Sequence, residues 1–159
     1  MPIAQNAIAD FLCGMVLATI LLALSIVDFR RGVLPNSLTL LLGVCGVLQS
    51  VITGRPAPID ALIGSLSCSA LLLSLAIFFR RRRGIDGLGF GDIKLGAAAG
   101  LWLGWEPAPW MLLIASMLAL VFILARAVWR RRLERFERTA FGPFLSAGIL
   151  ASWASGHLF

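Results

Sequence analysis

Two carboxylates in this chain stand where an acid is expensive to keep. Asp92 follows a run of alternating glycines in Gly87-Leu88-Gly89-Phe90-Gly91-Asp92-Ile93-Lys94-Leu95, just where a basic loop gives way to an apolar segment. Asp28 closes the first apolar segment in Asp28-Phe29-Arg30-Arg31-Gly32-Val33-Leu34-Pro35-Asn36. Acidic side chains at the edge of hydrocarbon are functional by default. Two carboxyls brought close do not easily both ionise, so one keeps a proton while the other remains a base. They then titrate as one coupled unit. Such a pair can hydrolyse a peptide without a covalent intermediate. The charged member takes a proton from attacking water, the protonated member polarises the scissile carbonyl, and protons pass to the departing amine. That chemistry requires Asp28 and Asp92 to reach the same face of their scaffold.

The scaffold is set by composition. With 59% hydrophobic residues, 14% charged residues and a mean hydropathy of +0.92, the chain is too apolar for a soluble domain and is expected to be an all-α integral membrane protein. Six apolar stretches run from Phe11 to Val27, Leu38 to Ile52, Ala61 to Phe79, Leu95 to Trp105, Ala108 to Ala125 and Phe141 to Phe159. At about 1.5 Å per residue, roughly 20 residues span the hydrocarbon, so the second and fourth stretches are short.

Charge argues that the short stretches cross as well. If all six do, Arg30 and Arg31 fall in the first loop, Arg80 to Arg83 and Lys94 in the third, and Arg126, Arg130, Arg131, Arg132, Arg135 and Arg138 in the fifth. Every basic residue except Arg55 then lies on one side, which is the cytoplasmic side by the bias of Lys and Arg. Were Leu95 to Trp105 not to cross, that asymmetry would vanish. The expectation is a bundle of six transmembrane helices with both termini outside, forming one membrane domain over residues 1–159. Met1 to Asn6 carries no basic residue, and the Arg-rich flank after Asp28 marks a retained first span rather than a cleaved signal peptide.

In this topology Asp28 ends helix 1 and Asp92 starts helix 4 on the same face. The short helix 4 places its first residues in a wetted recess below the headgroups. Gly96, Gly100 and Gly104 recur every four residues, a small-residue stripe that admits a neighbouring backbone. The dyad is expected to have helices 1 and 4 side by side.

At these residues the chain resembles the type IV prepilin leader peptidases, bacterial intramembrane aspartyl proteases with a Gly-x-Gly-Asp signature. The matching stretches are Asp28 with its Arg-rich sequel and Leu34-Pro35-Asn36, then Gly89-Phe90-Gly91-Asp92-Ile93-Lys94-Leu95, then Phe141-Gly142-Pro143-Phe144-Leu145. The resemblance implies that Asp28 and Asp92 are the catalytic aspartates and that no cofactor is needed. It also implies a multi-pass protein of the bacterial inner membrane. The implied substrate is a prepilin or pseudopilin whose short basic leader is cut, on the cytoplasmic side, after a glycine that precedes a hydrophobic helix. Larger members of the family carry a cytoplasmic segment with paired Cys-x-x-Cys motifs, and many also methylate the new N-terminus. Here helix 1 runs through Asn36 straight into helix 2, so methyl transfer is not expected, and the compact form resembles the peptidases of tight-adherence or Flp-type pili.

The remaining candidates have plainer readings. Cys13, Cys45 and Cys68 lie in apolar helices without metal-ligand spacing and are expected to pack as small hydrophobes, so no metal is expected. His157 stands alone near the C-terminus. The glycines from Gly87 to Gly91 lack the spacing of a dinucleotide loop and are expected to let the backbone bend and present an edge to an extended substrate, with Gly89, Phe90 and Gly91 shaping the site. Lys94 is expected to snorkel toward lipid phosphates or solvent, and Asn36 or Ser37 to cap helix 2. Asp86 is a candidate for receiving a basic leader, whereas Glu134 and Glu137 are surrounded by arginines at helical spacing. The arginine clusters are read as topology determinants that also bind anionic lipid, with no nucleic-acid partner. Trp102, Trp105 and Trp110 are expected to mark the outer interface. Two competing functions remain on the sequence alone. A scaffold or lipid-binding subunit explains the basic loops but gives no reason for the two acids to meet; a lipoprotein signal peptidase also uses two aspartates but on the outer face.

Overall fold

A computed structural model describes residues 2–83, 88–130 and 141–158. These form six helices: α1 Pro2–Arg31, α2 Asn36–Thr53, α3 Pro58–Arg83, α4 Phe90–Leu103, α5 Ala108–Arg130 and α6 Gly142–Leu158. Four of them, α1, α2, α3 and α5, are long and apolar enough to cross a membrane. At 14 residues, α4 falls short of the roughly 20 that a full crossing takes, while α6 has 17. Large apolar side chains such as Phe11, Leu22, Leu66 and Leu124 point outward from the long helices. In water such faces would be a liability, and in lipid they are the solvated surface. The chain is a multi-pass membrane protein.

Helix α4 sits at the centre, packed against α3, α2 and α6. Its buried residues, among them Leu95, Ala98, Ala99, Trp102 and Leu103, occupy a broad arc around the axis, as a helix flanked by several others requires, while Ile93, Ala97 and Leu101 on the remaining face are half-buried and Lys94 is exposed. It starts at Phe90, five residues before the first residue of the apolar stretch, because the Asp92 side chain reaches back to the Gly89 N–H and stabilises an earlier first turn. It stops at Leu103 because Gly104 takes a left-handed φ of 77°, which a glycine adopts without strain.

The glycine stripe is where α4 meets α3. A Cβ on Gly100 would run into the backbone of Gly64 and Ser65, and one on Gly96 would run into the Leu72 side chain. Gly64 on α3 is the partner of the stripe, facing the backbone of both Gly100 and Gly104. The two helices therefore touch backbone to backbone.

Trp102 departs from expectation. It is 2% exposed, lies against Gly46 of α2 and donates its Nε1–H to the Leu42 carbonyl at 2.8 Å. The cleared face of Gly46 makes room for the indole, so this tryptophan joins α4 to α2 in the core, while Trp105 and Trp110 are exposed. Another difference lies at the start of α2, where Pro35 occupies the N-cap position and no side chain caps the helix. Asn36 is already the first helical residue.

A third correction concerns the expected neighbours. Helices α1 and α4 are not an extensively packed pair. Between them stand α2 and α6, each of which packs on both. The two acids must therefore meet across a gap bounded by other elements, at the end of the bundle.

Candidate active site

Asp28 continues the buried stripe of α1. Leu17, Ile20, Leu21 and Leu24 precede it at intervals of three and four, and the same face carries it inward to 6% exposure while Phe29 and Arg30 point out. One turn later the helix ends: the Gly32 N–H bonds to the Asp28 carbonyl at 2.7 Å and Gly32 adopts a φ of 62°. A carboxylate in the last turn of a helix faces the unfavourable end of the helix dipole. The deficit is met from another helix. The backbone N–H of Gly142, the first residue of α6, donates to Asp28 Oδ2 at 3.0 Å, so the positive end of α6 is turned on this acid.

Asp92 is the third residue of α4. Gly89 precedes the helix in extended backbone, and its N–H donates to Asp92 Oδ2 at 3.3 Å while the Asp92 N–H bonds to the Gly89 carbonyl at 3.1 Å. This holds the side chain back along the helix at 8% exposure.

Both acids open into one cleft of about 330 Å³. One wall is the turn from α1 to α2, with Asp28, Gly32, Val33, Leu34 and Asn36; the other is the start of α4, with Gly89, Phe90, Gly91, Asp92 and Lys94. The two carboxyls thus belong to opposite walls of one cleft. The walls are joined at two points. Leu34, 7% exposed, packs on Gly91, where a Cβ would lie 3.0 Å from the leucine Cβ. Lys94 Nζ donates to Asn36 Oδ1 at 2.9 Å.

Of the residues singled out in the sequence, the structure brings Asp28, Asp92, Gly89, Phe90 and Gly91 to this cleft. Asp86, Glu134 and Glu137 lie outside the described residues. The two described glycines do not bend the chain as expected. Gly89 has a φ of −73°, open to any residue, and Gly91 lies inside the first turn of α4, so the value of Gly91 is the close approach of Leu34. Lys94 is exposed, and its ammonium also donates to Asn36 Oδ1 on α2. Gly142 contacts Asp28 directly, a role that its spacing in the sequence does not reveal. The only signal for Asn36, Lys94 and Gly142 was their place in the three matching stretches.

An ionisable pair sharing a half-open cleft at the end of a membrane bundle is suited to activating water and protonating a leaving group. Among the described residues no group of three or more His, Cys, Asp or Glu could hold a metal ion. Cys68 is buried and Cys13 and Cys45 are half-buried, all three as free thiols.

A family model described as the type IV leader peptidase family matches residues 15–124. Relatives named prepilin leader peptidase/N-methyltransferase include that of Burkholderia pseudomallei, 40% identical over 94% of this chain and 50% of its own length. That of Aeromonas salmonicida is 34% identical over 89% of the chain and 47% of its own length. That of Escherichia coli K12 is 34% identical over 94% and 63%. The chain thus spans about half the length of the Burkholderia and Aeromonas relatives. No solved structure matches.

Proposed function

The chain belongs to the type IV leader peptidase family, and from that premise we propose that it is an intramembrane aspartic endopeptidase, Asp28 and Asp92 being its catalytic pair. One observation carries the reading: two acids 64 positions apart in sequence are both buried and both open into one cleft. A bundle that only had to stand in lipid would gain nothing by sheltering them together.

In the reaction, the ionised member removes a proton from water as the oxygen adds to the scissile carbonyl carbon. The protonated member passes its proton to the carbonyl oxygen, giving a gem-diol with no bond to the enzyme. The carboxyl that gained the water proton then protonates the amide nitrogen as the C–N bond breaks, and the other carboxylate takes back a hydroxyl proton to restore the acid and the starting state. In this reading Gly89, Phe90 and Gly91, which line the wall beside Asp92, shape the space that the substrate enters.

The substrate proposed is a prepilin or pseudopilin with a short basic leader, cut after a glycine that precedes a hydrophobic helix. The clustering of arginines in and just beyond the C-terminal ends of α1, α3 and α5 supports a cleft facing the cytoplasm of a bacterial inner membrane, both termini outside, with six crossings and anionic lipid at the basic ends. On that topology residues 1–159 act as a single peptidase domain. The proposal is confined to peptide hydrolysis, since the link between α1 and α2 is only residues 32–35 and holds no Cys-x-x-Cys motif.

The test is cleavage of a prepilin by the full chain purified in detergent. Wild type should release the leader, while Asp28→Asn and Asp92→Asn should each leave the precursor intact and still elute as folded protein. Retained cleavage by either variant would remove the dyad from the mechanism.

A further inference from the structure

Lys94 places a positive charge in the mouth of the cleft that holds both carboxylates. A cation beside a carboxylate favours its ionised form. For a pair that works by keeping one proton between two acids, an ammonium paired to either member is disabling, because with both ionised no acid remains to polarise the carbonyl.

The ammonium is held elsewhere. Its hydrogen bond, at 2.9 Å, goes to Asn36 Oδ1, a neutral acceptor on the opposite wall. The Asn36 side chain is available for this because it takes no part in capping α2. Its position is set by the residues before it: Pro35 occupies the N-cap, and Leu34 is buried against Gly91. Lys94 and Asn36 are both exposed while Asp28 and Asp92 are buried, so the charge stays in water as the acids stay sheltered. The described charged groups lining the cleft are Asp28 on α1 and Asp92 and Lys94 on α4; α2 contributes the amide of Asn36, and α6 its Gly142 N–H to Asp28.

We propose that Asn36 is a positioning residue that holds the Lys94 ammonium away from Asp28 and Asp92 and so keeps the pair able to share a proton. The inference rests on the aspartic-peptidase reading above. It assigns no direct contact with substrate to either Asn36 or Lys94.

The test compares wild type, Asn36→Ala, Lys94→Met and the double variant as full chains in detergent, with kcat and KM measured on the precursor. Asn36→Ala should lower kcat about tenfold or more with KM changed less than about threefold, since the loss is in the chemical step. The double variant should be at least about threefold faster than Asn36→Ala and match Lys94→Met alone, because without the cation there is nothing to hold away. If Asn36→Ala does not elute as folded protein, Asn36→Leu, with the same branching and no acceptor, replaces it. A double variant as slow as Asn36→Ala overturns the inference and leaves the bond a merely structural tie. So does an Asn36→Ala as fast as wild type. A wild type that leaves the precursor uncut sinks the peptidase reading itself and takes this inference with it.

Discussion

The backbone N–H of Gly142 donates to Asp28 Oδ2 at 3.0 Å, joining the first residue of α6 to the last turn of α1 across 114 positions of sequence. The same glycine leaves no space for a side chain, because a Cβ there would run into that carboxyl. Donor and missing methyl serve one end. The helix start is brought close enough to complete the hydrogen bonding of a buried acid, and the acid lies at the one end of α1 where its own helix opposes a negative charge.

Gly142→Ala should therefore damage the site more than the fold. The added methyl must push Asp28 aside or tilt the start of α6, an overpacking cost of about 1–3 kcal/mol. Cleavage should fall at least about tenfold, as expected when a catalytic group is displaced by a fraction of an ångström or more. Leader release compared with thermal unfolding in detergent checks both parts, and unchanged cleavage would show that this contact does not position Asp28.

Replacing either acid by its amide should cost about 10²- to 10⁴-fold in kcat, the range for removing a positioned general acid or base. Asparagine keeps the size of the side chain and its acceptor oxygen, so the Gly142 and Gly89 hydrogen bonds have a partner and the helices should remain folded. Circular dichroism and elution volume report the fold, and leader release reports the chemistry.

The wild-type rate should peak between two limbs of pH. At low pH the base is protonated and cannot take the water proton; at high pH the acid has lost the proton that polarises the carbonyl. Both limbs belong to the pair and not to one residue. A rate that rises monotonically to high pH would point to a single base.

The α3–α4 contact sets a different test. At Gly64 and Gly100 the neighbour of an added Cβ is backbone, which cannot swing away as a side chain would. Gly100→Ala should lower stability by about 1–3 kcal/mol, read as a shift of the thermal transition in detergent. Gly156, with open space around it, is the control. Gly156→Ala should be neutral or stabilising by a few tenths to about 1 kcal/mol through helix propensity.

Trp102→Phe should cost about 1 kcal/mol, because it leaves the Leu42 carbonyl without the indole donor inside the bundle. Intrinsic fluorescence gives an independent check: loss of this buried indole should shift the emission of the remaining, mostly more exposed tryptophans to the red.

Much of this architecture is legible residue by residue. Runs such as Leu17 to Leu24 and Leu113 to Ala125 can only be buried in protein or lipid, whatever they pack against. The repeat of Gly96 and Gly100 announces a close helix partner, though not that the partner is Gly64. Trp102 shows where such reading stops. An indole near an apolar segment end is equally consistent with an interface and with a core, and only the missing side chain of Gly46, 56 positions earlier, decides for the core.

Local chemistry thus determined the helices, the placement of Asp28 and Asp92 at helix ends, and the glycines that admit close neighbours, because solvation and backbone freedom act over a few residues at a time. The packing of the bundle decided the rest. It separated α1 from α4 by α2 and α6 yet turned both acids into one cleft, brought the Gly142 N–H to Asp28, and set Asn36 opposite Lys94. Those pairings join residues 58 to 114 positions apart. No periodicity encodes them, since each depends on how whole helices rotate and slide until their buried faces fit.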